Sequence, residues 1–148
     1  MKGQTLYSLI VNAPDKGVGE KLAMKILYEL ALAVNHLHSL GYSHRDIKLE
    51  NIMFTSDQRV KLLDYGFAKK GRIADTELIA GTPVYMAPEL INGDSCTEKI
   101  DIWALGVILY CLLTGKMPFT GQNKKQINQQ LRELDTGLSA PEFSHISQ

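Results

Sequence analysis

The chain has 148 residues, enough for one domain with a sizeable core, and its 45% hydrophobic and 22% charged residues are ordinary for a globular protein. Sixteen basic and sixteen acidic residues cancel, which gives no reason to expect nucleic acid or an anionic membrane as partner. Cys96 and Cys111 have no second pair, which argues against a zinc site or a disulfide framework. The most apolar run, Ile102 to Leu113, is twelve residues long, against roughly 17–25 for a membrane span. Met1 to Thr5 has no apolar leader-like run, so a reducing compartment is expected, the cytoplasm or alternatively the nucleus.

Residues 4–10 are predicted as a short helix, followed by a turn from Asn12 to Gly17. Leu22, Ile26, Leu30, Val34 and Leu37 recur every three to four residues, the mark of an amphipathic helix that Gly41 stops. Two short apolar runs, 51–54 and 59–63, flank Thr55-Ser56-Asp57-Gln58 and read as a β-hairpin. Residues 67–97 show little periodicity, and so long an irregular stretch in a compact domain is usually functional. Ile100 to Leu113 is apolar nearly all round, the pattern of a buried helix, with Trp103, Val107 and Leu112 expected inside. Lys125 to Leu134 reads as a polar amphipathic helix, and the last fourteen residues carry no pattern.

Two strings carry chemistry. His44-Arg45-Asp46-Ile47-Lys48-Leu49-Glu50-Asn51 stands before the hairpin, and Asp64-Tyr65-Gly66 follows it, so the hairpin brings both acids to one end. Ala87-Pro88-Glu89 comes later. Phosphoryl transfer asks for positioning and charge neutralisation. Asp46 is suited to accept a hydroxyl proton, Lys48 to reach a transferred phosphate, and Asn51 and Asp64 to offer the oxygen ligands that magnesium prefers. Gly17-Val18-Gly19 is not a phosphate loop, because Glu20-Lys21-Leu22 follows Gly19 and no third glycine completes the pattern. Lys69, Lys70 and Arg72 read as a solvated loop, and His36, His38 and His145 as structural or exposed.

The ordered strings resemble the eukaryotic protein kinase family, serine/threonine type, along almost the whole chain. The resemblance implies ATP and Mg2+ as cofactors and a protein serine or threonine as substrate. It implies Asp46 as base, with Lys48 and Thr82 beside it, and Asn51 and Asp64 on the metal. Met53 would lie under the adenine ring, with Ile52 and Phe54 around it. Arg45 would grip a phosphate on the activation segment. Leu78 occupies the usual phosphorylation position, which leaves Thr76 as the nearest regulatory hydroxyl. Glu50 would receive a substrate arginine, but Thr5, Val84 and Cys111 replace the other acids of a basophilic enzyme. His44 would pack on Tyr65, and Asp101 would hold the backbone of the catalytic loop. Lys48 suits serine/threonine specificity, and H-R-D-I-K-L-E-N resembles the calmodulin-dependent and SNF1-like subgroup.

The resemblance also sets the expected fold. It is an α+β protein kinase-like fold, C-terminal lobe only, mostly helical with one small hairpin. Residues 1–148 would run from the helix after the hinge to just short of the last helices. The glycine-rich loop and strand lysine of a small lobe are not found. The chain alone is therefore expected to be inactive, with an apolar face that a partner protein would cover. The alternative is a non-catalytic kinase-like module that docks on or competes for kinase partners.

Overall fold

The computed structural model of the chain describes residues 2–13, 17–71, 82–92, 94, 96–120 and 124–133. Thr76, Leu78, Arg72 and His145 lie outside them. The expected hairpin forms from β3 (Ile52–Thr55) and β4 (Val60–Leu62), with Ile52 opposite Leu62 and Phe54 opposite Val60. It has a third strand that was not expected. The segment read as a helix from residue 4 begins instead as β1 (Gly3–Thr5), antiparallel to β3, and turns helical only at α1 (Leu6–Val11). Gly3 permits this pairing: a Cβ there would lie 2.7 Å from the Phe54 carbonyl oxygen. Thr5 ends the strand and caps the helix, its Oγ1 accepting from the Ser8 N–H at 3.2 Å.

The long amphipathic helix is α2 (Glu20–Ser39), which buries Ala23, Ile26, Leu30 and Val34. Gly41, at φ 79°, donates its N–H to the His38 carbonyl and ends it. β2 (Tyr42–Ser43) follows and pairs with β5 (Lys69–Lys70), so the lysines read as a loop form a small second sheet. The Lys70 ammonium stands 5.7 Å from the centre of the Tyr42 ring. Within the stretch read as irregular lie a 3₁₀ turn (Pro83–Tyr85) and α3 (Pro88–Asn92).

The central helix is α4 (Lys99–Thr114), followed by α5 (Lys124–Glu133). Val107 and Leu112 are buried as expected, but Trp103 is only half-buried and Ile102 is 53% exposed. The helix is therefore not enclosed all round. α2 and the Pro83–Tyr85 turn pack against it, while Ile102 and Gly106 stay open. Trp103 packs against both apolar clusters and stacks on Phe119 with ring centres 6.0 Å apart. Gly17 docks the loop before α2 on the end of α4, where Val18 N–H reaches the Leu112 carbonyl at 2.8 Å. Gly17 thus serves packing between helices. Among the described residues, no helix is long and apolar enough to cross a membrane.

Candidate active site

The loop between β2 and β3 is held from below by one buried carboxylate. Asp101, in the first turn of α4, accepts the main-chain N–H of His44 at 2.8 Å and that of Arg45 at 3.0 Å. These bonds hold Arg45 at φ 70°, a left-handed conformation that a non-glycine residue adopts only when its surroundings impose it. Asp101 Oδ2 also meets His38 Nε2 at 2.8 Å. This contact gives His38, on the last turn of α2, a definite structural task that spacing alone did not reveal.

His44 lies buried beneath the site. Its Nε2 stands 3.1 Å from the Leu63 carbonyl, and its Nδ1 3.3 Å from the Asp46 N–H. Both bonds are made at once only by the neutral ring protonated on Nε2. Burial holds its pKa below the ordinary value, against the Leu63 carbonyl and the charges of Asp101, Asp46 and Asp64. The ring packs on Tyr65 with centres 5.0 Å apart, as expected. His44 is thus a pivot touching both acidic strings.

Asp46 is 5% exposed. Lys48 Nζ donates to its Oδ2 at 2.7 Å. The Asn51 amide donates at 2.9 Å both to that oxygen and to the Asp46 main-chain oxygen. Both side-chain bonds to the carboxylate fall on Oδ2, and none of them uses Oδ1. Thr82 lines the same small cavity as Asp46, about 20 Å³ in volume, with Arg45, Ile47, Tyr85 and Met86. Asp46 is thus ion-paired with Lys48 and shares a cavity with Thr82.

Asp64 stands at the far end of the hairpin, where Leu63 N–H bonds the Asn51 carbonyl at 2.8 Å. It is exposed and left-handed at φ 59°, its Oδ1 accepting from Gly66 N–H at 3.2 Å. Asn51 spends only its nitrogen on Asp46, so its side-chain oxygen stays a hard donor, as does Asp64 Oδ2. Among the described residues no three His, Cys, Asp or Glu gather into a metal cage. Magnesium needs none, since it takes one or two protein oxygens and fills its shell with phosphates and water. The donor set therefore fits a magnesium–nucleotide.

Met53 is half-buried on β3 and its neighbours part from it. Strand alternation sends Ile52 and Phe54 to the main core, which Met53 does not join. The neighbours thus pack beneath the strand, and not around Met53. Glu50 is exposed at the rim of the loop. The Tyr85 phenol is buried beside it, and burial first, then the Glu50 charge, raise its pKa strongly.

Residues 1–148 match the protein kinase domain family. The chain belongs to that family. It is 36% identical over 131 residues to serine/threonine-protein kinase PEPKR2 of Arabidopsis thaliana, an overlap of 86% of this chain and 27% of the relative. MAP kinase-activated protein kinase 2 of Drosophila melanogaster is 34% identical over 156 residues, covering 100% and 44%. Human ribosomal protein S6 kinase alpha-3 is 39% identical over 119 residues, covering 79% and 16%. The chain thus spans less than half the length of these kinases.

Proposed function

We propose that the chain is the large lobe of a serine/threonine protein kinase of the calmodulin-dependent and SNF1-like group, acting in the cytoplasm or nucleus. The observation that supports it most is the clamp of Asn51 and Lys48 on one oxygen of Asp46, which leaves the other for an acceptor hydroxyl. ATP with magnesium, when bound, supplies the transferable phosphoryl group. Asp46 orients the serine or threonine hydroxyl and takes its proton at Oδ1. Lys48, held on Asp46, places a positive charge beside the acceptor, and Thr82 closes the same cavity. Asn51 and Asp64 would hold the metal, and Met53 would support the adenine. Arg45 and Thr76 remain the proposed regulatory pair, and Glu50 the contact for a basic substrate residue.

Alone, the chain should not transfer phosphate. Asp64 is exposed, and a metal–phosphate group held from one side in water gains little from its charges. The exposure of Tyr65 and Phe67 at this same face, 52% and 45%, favours a second reading, a docking module whose partner covers it. Calorimetry of the purified chain with magnesium–ATP separates the two. Weak binding, converted to phosphate transfer when a kinase small lobe is fused ahead of residue 1 and lost again in Asp46→Asn, supports the enzyme. A fusion that binds magnesium–ATP but transfers nothing refutes it.

A further inference from the structure

α2 has a second apolar row, which the core does not use. Ala23, Ile26, Leu30 and Val34 are buried, while Met24, Tyr28 and Leu32 are 51%, 66% and 52% exposed. A spacing of four residues puts these three in one line, roughly 5–6 Å from each to the next. Single exposed apolar side chains are ordinary, but three in line are desolvated together by one partner. Lys21 and Lys25, both exposed, run beside the row at the same spacing. Lys25 donates to the Gln58 side chain at 3.0 Å, so this flank faces the hairpin turn. Arg59 adds a side chain 67% exposed, whose Nε donates to Glu29 at 3.1 Å. Glu29 is 17% exposed and spends the same oxygen on the Val60 N–H at 2.8 Å. Asp57, exposed in the turn, is the acid that Lys61 and Arg59 act on. Four cations thus meet two carboxylates here, and the excess charge is positive.

We infer that this face of α2 docks an acidic amphipathic helix of another protein. Its apolar residues lie one turn apart on Met24, Tyr28 and Leu32, and its Asp or Glu residues on the row beside them meet Lys21 and Lys25. No group at Asp46 takes part, so the inference stands apart from the kinase reading. Charge selects this occupant. A second copy of α2 laid antiparallel about Tyr28 would match Met24 with Leu32, but would bring Asn35 and Ala31, and no acid, to Lys21 and Lys25. A parallel copy would set lysine against lysine. An anionic bilayer would meet cations on one flank only, because Glu20 opens the helix on the other side of the row. An acidic helix satisfies both rows at once: its apolar line covers the stripe, and its carboxylates reach ammonium groups that stay partly in water.

The test is fluorescence anisotropy of three labelled peptides on the full 148-residue chain. Each is about sixteen residues long, enough to hold a helix on a surface, with leucines one turn apart. They differ only in the adjacent row, which is glutamate, glutamine or lysine. The glutamate peptide should bind about tenfold tighter than the lysine peptide at low salt, and added salt should shrink the difference. Lys21→Glu with Lys25→Glu should reverse the order. Tyr28→Ser and Leu32→Ser, both at exposed positions, should each weaken the glutamate peptide about fivefold or more while leaving the circular dichroism unchanged. Ile102→Ser, at the exposed apolar site on α4, should leave binding as it was. Equal affinities, no binding to any peptide, or an order untouched by Lys21→Glu with Lys25→Glu would overturn the inference. So would a loss in Ile102→Ser equal to that in Tyr28→Ser. A dimer in sedimentation that Tyr28→Ser disperses would give the face to a second copy and overturn it, as would binding to phosphatidylserine vesicles, lost in Tyr28→Ser, without binding to the glutamate peptide.

Discussion

One amide ties Asp46 to its own loop: Asn51 Nδ2 lies 2.9 Å from the Asp46 main-chain oxygen and 2.9 Å from its Oδ2. Both residues are buried. Asn51→Ala should strand a buried carbonyl and cost about 1–3 kcal/mol in urea unfolding. Asn51→Asp should cost more at pH about 8 than at about 5, because it sets a second carboxylate against Asp46 that only protonation relieves. Equal losses at the two pH values would show that the amide does not face the acid.

Asp101 supports the same loop from α4. Asp101→Ala should leave the His44 and Arg45 N–H groups without their acceptor, in a site 1% exposed. Two such orphaned donors predict a loss of about 2–5 kcal/mol. His38→Ala should cost less, about 1 kcal/mol, since its ring is 14% exposed and water replaces part of the bond. The double variant should be less destabilised than the sum, because both changes break one network. Additive losses would uncouple His38 from the loop.

Much of this arrangement was legible because it is local. The placement of Asp46, Lys48, Asn51 and Asp64 depends on a loop and a hairpin spanning residues 44–66, and the turn residues Thr55 to Gln58 declare that hairpin. α2 and α5 were readable from their periodicity, which records one buried face. The misses are non-local. β1 is three residues long, too short for alternation, and its partner Thr55 lies far along the chain from Gly3. β2 and β5 have two residues each. The bond from His38 to Asp101 spans 63 positions, and no spacing rule joins them. α4 misled for another reason. A composition apolar on all sides does not say which neighbours are present, and Ile102 stays exposed.

His44 makes the stability of the chain pH-dependent in a stated direction. Its folded pKa lies below the ordinary 6.5, chiefly because it is buried. A group depressed in the folded state contributes fully above its unfolded pKa. That contribution is lost as pH falls from 6.5 through the folded value. Urea midpoints should therefore drop on going below that pH. His44→Phe keeps a ring against Tyr65 without the titration, and should flatten part of this drop even if it lowers stability at neutral pH. An unchanged pH profile in His44→Phe would mean that the carboxylates alone set the slope.

Three glycines offer a graded test of the packing. Gly17 has φ 76°, and a Cβ there would lie 2.2 Å from the Leu112 main-chain oxygen. Neither α4 nor the loop can yield without losing the Val18 to Leu112 bond at 2.8 Å, so Gly17→Ala should cost about 3 kcal/mol or more. Gly71 has φ 82° and no described residue within 4 Å of an added Cβ, which leaves the left-handed penalty of about 1–2 kcal/mol. Gly106 sits inside α4 with no atom of another described residue within 4 Å of an added Cβ. Alanine there should stabilise by about 0.5–1 kcal/mol, because it removes backbone freedom from the unfolded chain and clashes with nothing. Urea midpoints should thus rank Gly106→Ala above the parent chain, Gly71→Ala below it, and Gly17→Ala lowest. A Gly17→Ala variant as stable as Gly71→Ala would show that the loop does not dock on the end of α4 in solution.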